Sequence, residues 1–70
     1  MKAGENPKKI VVGSVWKDAW LLGDYVVTKV TWHKVTGIFL DNGQEFTVYK
    51  KHCAEDRFVR HISQLEMELL

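Results

Sequence analysis

Cys53, His33, His52 and His61 are the side chains of this 70-residue chain best suited to covalent chemistry. A thiol beside an imidazole, with Asp41 or Asp56 to orient the ring, is the minimum of a nucleophilic site. His52 and Cys53 are sequence neighbours, however. In a strand their side chains point apart, and in a helix adjacent positions do not face each other. A barrel this small also leaves little room for a substrate pocket of roughly 300–1,000 Å³. The pattern predicts a protein that is not an enzyme, with Cys53 serving as a small buried hydrophobe.

Metal and cofactor chemistry meet the same shortage of parts. A structural zinc site draws about four Cys or His ligands at recognisable spacing; one Cys and three scattered His supply neither CxxC nor HxxxH. Gly4, Gly13, Gly23, Gly37 and Gly43 stand singly, so no phosphate-cradling glycine loop is present. The expectation is no metal and no cofactor.

Binding chemistry is better supplied. "AWLLGDY" carries Trp20, Leu21, Leu22 and Tyr25, unusually apolar for a surface connection, and exposed apolar patches mark interfaces. Trp and Tyr are enriched at binding hot spots, so Trp20 and Tyr25 are the expected anchors for a protein partner. The competing arrangement folds Trp20, Leu21 and Leu22 back over an open barrel end, since so small a core needs apolar cover. Lys50, Lys51, His52, Arg57 and Arg60 form a locally basic stretch, and Trp16, Trp20, Trp32, Tyr25 and Tyr49 supply aromatic faces. Together these are the ingredients of an RNA- or DNA-binding barrel. Acidic residues nearly cancel the charge, leaving +1 overall, far from the basicity of a dedicated nucleic-acid domain. Protein binding is therefore the first reading and nucleic-acid binding the alternative.

These residues need elements to hold them. Seventy residues suffice for one small domain. Composition is globular, at 46% hydrophobic and 27% charged. A single cysteine rules out an internal disulfide and suits a reducing cytosol. No apolar run approaches the ~20 residues of a spanning helix. "MKAGENPKK" has charge with no apolar run behind it, so residues 1–9 are expected to form a polar arm rather than a signal peptide.

From Ile10 to about Lys50 the signal is β. "IVVGSVWK" is rich in β-branched and aromatic residues, and "YVVTKVTW" alternates with Val26, Val30 and Trp32 on one face. Gly23-Asp24 marks a turn between them. "VTGIFL" and "EFTVYK" flank Asp41-Asn42-Gly43. A two-residue turn there pairs Phe39 with Phe46. A three-residue loop with Gly43 in the left-handed region as a bulge instead gathers Ile38, Leu40, Phe46 and Val48 on one face. The opposite face is then Val35, Gly37, Phe39, Glu45, Thr47 and Tyr49. Register follows the buried face, so the bulge is expected.

Residues 52–62 read either as an irregular or 3₁₀ turn followed by a strand over 57–62, or as part of a helix running to the end. The strand is preferred because it could close a barrel and remove sheet edges. Ser63 and Glu66 have capping-box spacing, which predicts a helix over 63–70. So short a helix does not persist alone. Leu65, Leu69 and Leu70 must therefore dock on the barrel or make an oligomer contact, such as a homodimer. The predicted fold is mainly β: a five-stranded SH3-like small barrel over 10–62 with a short C-terminal helix. A four-stranded antiparallel meander packed on a C-terminal helix is the alternative. In such barrels the long first loop borders a peptide groove.

"GSVWKD", the valine-rich second strand and "RFVRHI" resemble very short tailed-phage and prophage proteins of unknown function. The resemblance covers Val12–Ile62 and rests on Gly13, Trp16, Asp18 and Phe58, with His52 and Cys53 where a second aromatic would precede Phe58. It implies a small accessory or host-modulating binding protein and carries over no catalytic residue.

Overall fold

The computed structural model describes residues 10–20 and 23–70; the expected polar arm at 1–9 and the predicted contacts Leu21 and Leu22 lie outside them. Five strands form one antiparallel sheet: β1 Ser14–Lys17, β2 Asp24–Val30, β3 Lys34–Phe39, β4 Glu45–Tyr49 and β5 Arg57–His61. A 3₁₀ turn, Lys50–Cys53, separates β4 from β5, and helix α1, Gln64–Glu68, follows. The sheet order is β4-β3-β2-β1-β5. This is the mainly β order expected, five antiparallel strands and a short C-terminal helix, with β5 returning to pair with β1.

The barrel does not close. No ladder joins β5 to β4 among the described residues, so both remain sheet edges. The 3₁₀ turn occupies the space between them, and its Cys53 packs into the core with Trp16, Tyr25, Val27 and Val35. The buried Cys53 of this turn stands where the sequence led us to expect closing hydrogen bonds.

Three local departures from the sequence pattern set the faces. Ile10, Val11 and Val12 are β-branched but not strand. Gly13 takes φ +92°, a conformation costly for other residues, and the Ser14 N–H closes a turn onto the Val11 carbonyl at 3.1 Å. Ser14 is buried because its hydroxyl has work there: it donates to the Val11 carbonyl at 2.6 Å and accepts from Trp16 Nε1 at 2.8 Å. In β2 the register shifts between Val27 and Lys29, and this bulge overrides the expected Val26/Val30/Trp32 alternation. Val27 and Val30 face the main core. Val26 pairs with Val15 on the opposite side of the sheet, and Trp32 lies beyond the strand with its ring in solvent.

The third departure is the β3–β4 hairpin. Ile38 pairs with Glu45, Gly37 with Phe46 and Val35 with Val48. Gly43 is left-handed at φ +74° as predicted. The loop, however, spans the four residues Leu40-Asp41-Asn42-Gly43, closed by Phe39 N–H to the Gln44 carbonyl at 2.9 Å and Gly43 N–H to the Phe39 carbonyl at 2.8 Å. One residue of slip exchanges the β3 faces. The buried set is Val35, Gly37 and Phe39 with Phe46 and Val48, and Ile38 and Leu40 do not join it. Gly37 decides this: a β-carbon there would sit 2.8 Å from Phe46 Cζ and 3.0 Å from Tyr25 Cδ2. Phe46 lies across the one position of β3 without a side chain.

The C-terminal capping box forms as the spacing predicts. Glu66 N–H donates to Ser63 Oγ and Ser63 N–H to Glu66 Oε1, each at 3.1 Å. The Ser63 amide, followed by the Arg60 guanidinium, holds the Glu66 carboxyl below its usual range. Ile62 and Met67, not the leucines, approach the sheet at Gly13. Leu65, Leu69 and Leu70 stay exposed, so their docking on the barrel is not what the fold uses them for.

Candidate ligand groove

The groove follows from where the chain must cross the open side of the sheet. β1 and β2 are joined by a loop that Asp18 organises. Its N–H donates to the Gly23 carbonyl at 2.8 Å, and its Oδ1 accepts from Trp20 N–H at 2.6 Å. Across from this loop lie the 3₁₀ turn and residues 54–56. Between them is a cavity of about 550 Å³. Tyr25, Phe39, Phe46 and Val48 form its apolar floor, while Trp20 and the Lys51–Asp56 segment form its walls. That volume corrects the expectation that so small a fold leaves little room for a substrate-sized pocket.

The floor is an aromatic cluster. Tyr25 meets Phe46 edge-on at 5.0 Å between ring centroids and Phe39 at 6.0 Å, and Phe39 tilts against Phe46 at 4.8 Å. Such pairs add to simple area burial. Trp20 is its opposite, 79% exposed at the rim. It does not fold back over the barrel end.

Beneath the rim, Asp56 ties both walls to the floor. This carboxylate, only 4% exposed, accepts from Tyr25 Oη at 2.6 Å and from Ala19 N–H at 2.9 Å. Its own N–H donates to the Cys53 carbonyl at 3.1 Å. One residue thus holds three parts together: its side chain joins the β1–β2 loop to the floor tyrosine, and its backbone N–H ties both to the 3₁₀ turn.

The thiol is buried beside the Tyr25 hydroxyl. Burial pushes Cys53 above its ordinary value, outweighing the Tyr25 hydroxyl beside it, which acts the other way. A nucleophilic cysteine needs the opposite shift. Burial, and then the hydrogen bond to Asp56, likewise raise Tyr25 far above 10.0. Among the described residues no three His, Cys, Asp or Glu side chains converge to hold a metal ion, and no helix is long and apolar enough to cross a membrane.

These two shifts predict an alkaline instability. Both groups bind their protons more tightly folded than unfolded, so their contribution is complete below the unfolded values and is lost as pH rises through and above them. Stability should be flat to about pH 8.5 and then decline, by about 1.4 kcal/mol per pH unit for each group once its unfolded form ionises. Urea midpoints measured at neutral pH and above pH 10 check this; an unchanged midpoint contradicts it.

The site residues expected from sequence divide. Trp20 and Tyr25 both line the groove. Lys50, Lys51 and His52 share the 3₁₀ turn, while Arg57 and Arg60 lie on β5, where Arg60 pairs with Glu66 at 3.1 Å. The basic stretch is therefore divided between two elements. Phe39, Phe46 and Val48 are groove residues that sequence reasoning did not single out as a site, and Asp56, considered there only as an orienter of an imidazole, lines the groove as well. No protein-family model, curated protein or solved structure matches the chain. The groove stands on its geometry alone.

Proposed function

We propose that this chain is a non-enzymatic protein-binding module whose groove takes an extended segment of a partner, anchored by an apolar side chain. The observation that carries this reading is an exposed tryptophan beside a preformed aromatic trough of about 550 Å³. A solvent-exposed Trp contributes little to folding and a great deal to an interface once a partner covers it. The aromatic floor and the Asp56 clamp pre-organise the receptor, which lowers the ordering cost of binding. A thiol held protonated supports binding over catalysis at the same place. With the resemblance to short phage proteins, the partner to seek is a host protein.

The test is a pull-down from host lysate with tagged wild-type and Trp20→Ala chains, each in nuclease-treated and untreated halves. The wild type is expected to retain a defined protein that survives nuclease, and Trp20→Ala to lose it by about tenfold or more, the scale of a hot-spot residue. Circular dichroism should show both chains equally folded, since Trp20 is exposed. A protein retained equally by both chains rejects the groove, as does loss of every retained protein on nuclease digestion.

A further inference from the structure

A second surface lies on the outer side of the β3–β4 hairpin. Trp32, in the turn between β2 and β3, is 86% exposed. Its ring centroid is 4.7 Å from that of His33, which lies 6.0 Å from Tyr49, and Tyr49 is 6.1 Å from His52. Lys34 Nζ stands 5.2 Å from the centre of the Tyr49 ring and Lys51 Nζ 6.0 Å. Lys34 and Tyr49 are cross-strand partners. Lys29, also exposed, pairs with Thr36 on the other side of β3, and Thr36 Oγ1 meets Thr47 Oγ1 at 2.9 Å. Four rings thus run in series beside three ammonium groups. Glu45, the outward-facing acid of β4, lies about 14 Å along the strand from Tyr49, beyond a Debye length at physiological salt.

The fold makes no use of the Trp32 ring. The turn is closed by its neighbours: Thr31 N–H donates to the Lys34 carbonyl at 2.9 Å and Lys34 N–H to Thr31 Oγ1 at 3.0 Å. The His33 carbonyl accepts from Lys50 N–H at 2.9 Å, which fixes the turn against the 3₁₀ segment. An indole left in solvent on a turn that others hold is available to a ligand.

We infer that this face binds single-stranded nucleic acid, with bases stacked on Trp32 and Tyr49 and phosphates neutralised by Lys29, Lys34 and Lys51. The complementarity is specific to that ligand class. A single strand offers flat unpaired faces joined by negative charges. An acidic peptide would occupy the lysines and leave the rings unused, and a duplex keeps its base faces stacked inside. The inference is independent of the groove, whose exposed tryptophan is Trp20; Lys51 and His52 stand at the border of the two surfaces.

The probe is a labelled oligo(U) of about 12 nucleotides, alone and annealed to its complement, titrated by fluorescence anisotropy over a range of salt. The wild type should bind the single strand at low salt with a log–log salt slope of about −2, the value for three neutralised phosphates. Trp32→Ala should weaken binding about tenfold, the scale of one lost stacking contact. Lys34→Glu, which leaves both rings in place, should weaken it and flatten the slope by about 0.7. Trp20→Ala should bind as the wild type does. Absence of binding at low salt, equal affinity for the duplex, or wild-type affinity in both Trp32→Ala and Lys34→Glu overturns the inference. Equal loss in Trp20→Ala also overturns it, by assigning the strand to the groove.

Discussion

Asp56→Ala should remove most of the chain's stability at 25 °C. The carboxylate is buried and accepts from Tyr25 Oη and Ala19 N–H. Truncation strands the buried Tyr25 hydroxyl, at about 1–3 kcal/mol. Ala19 is exposed, so its N–H can turn to water and loses only a net bond of about 0.5–1.5 kcal/mol. Together these approach the roughly 3–5 kcal/mol that a core of this size supplies in total. Asp56→Asn keeps one acceptor oxygen and should lie between. Tyr25→Phe removes a single hydroxyl and should cost about 1.5–3 kcal/mol, the range for a hydrogen bond to a charged group. Combined with Asp56→Ala it should add less than its own cost, because the same contact is broken twice. Urea titration followed by circular dichroism measures all four. If Asp56→Ala stays within about 0.5 kcal/mol of wild type, the clamp is not what joins the β1–β2 loop to the 3₁₀ turn.

The chain order is legible in the sequence because local signals carry it. Turn residues at Gly23-Asp24 and Asp41-Asn42-Gly43 delimit the strands. Ser63 and Glu66 cap the helix three residues apart. Gly43 takes the left-handed conformation that its neighbours imply. Each of these depends on a few adjacent residues, and each forms. The hairpin register is not local. It depends on what Phe46 meets across the sheet, and Gly37 carries no apolar signal to reveal that. Ranking faces by hydrophobicity favours Ile38 and Leu40 over Val35 and Gly37, whereas packing rewards the empty position. Barrel closure fails for a related reason: the alternation of a short strand says it will pair, but not with which edge.

The groove divides along the same line. Trp20 and Tyr25 are recognisable by type in an apolar connection. The floor appears only once Phe39 and Phe46 share a face, so it inherits the error in register. Asp56 reads only as an acid that could orient an imidazole, because its partner Tyr25 is 31 residues away. The basic run in turn looks continuous from Lys50 to Arg60 in sequence. The strand that follows Asp56 takes Arg57 and Arg60 to β1, away from Lys51. Trp32 is misplaced by the bulge at Thr28, which no composition signal marks.

Gly37→Ala should lower stability although alanine is the better strand residue. Replacing an interior strand glycine ordinarily gains about 0.5–1 kcal/mol. Here the new methyl would lie 2.8 Å from Phe46 Cζ and 3.0 Å from Tyr25 Cδ2. Phe46 is only half-buried and its ring end can swing. Tyr25 cannot follow, since its hydroxyl is fixed to Asp56. Overpacking of this kind costs about 1–3 kcal/mol, which exceeds the propensity gain. The net loss should lower Tm by several degrees, at about 4–8 °C per kcal/mol for a domain this small. Gly37→Val should cost more, because its branches meet both rings. In a Phe46→Leu background, where Cζ is gone, Gly37→Ala should cost measurably less than in the wild type. That difference separates a clash with the ring from a backbone effect, since the latter would be the same in both backgrounds. A higher Tm for Gly37→Ala in the wild-type chain would mean that Phe46 yields freely. The groove floor would then be a movable ring rather than a preformed surface, and partner selection would depend on how far that ring can turn.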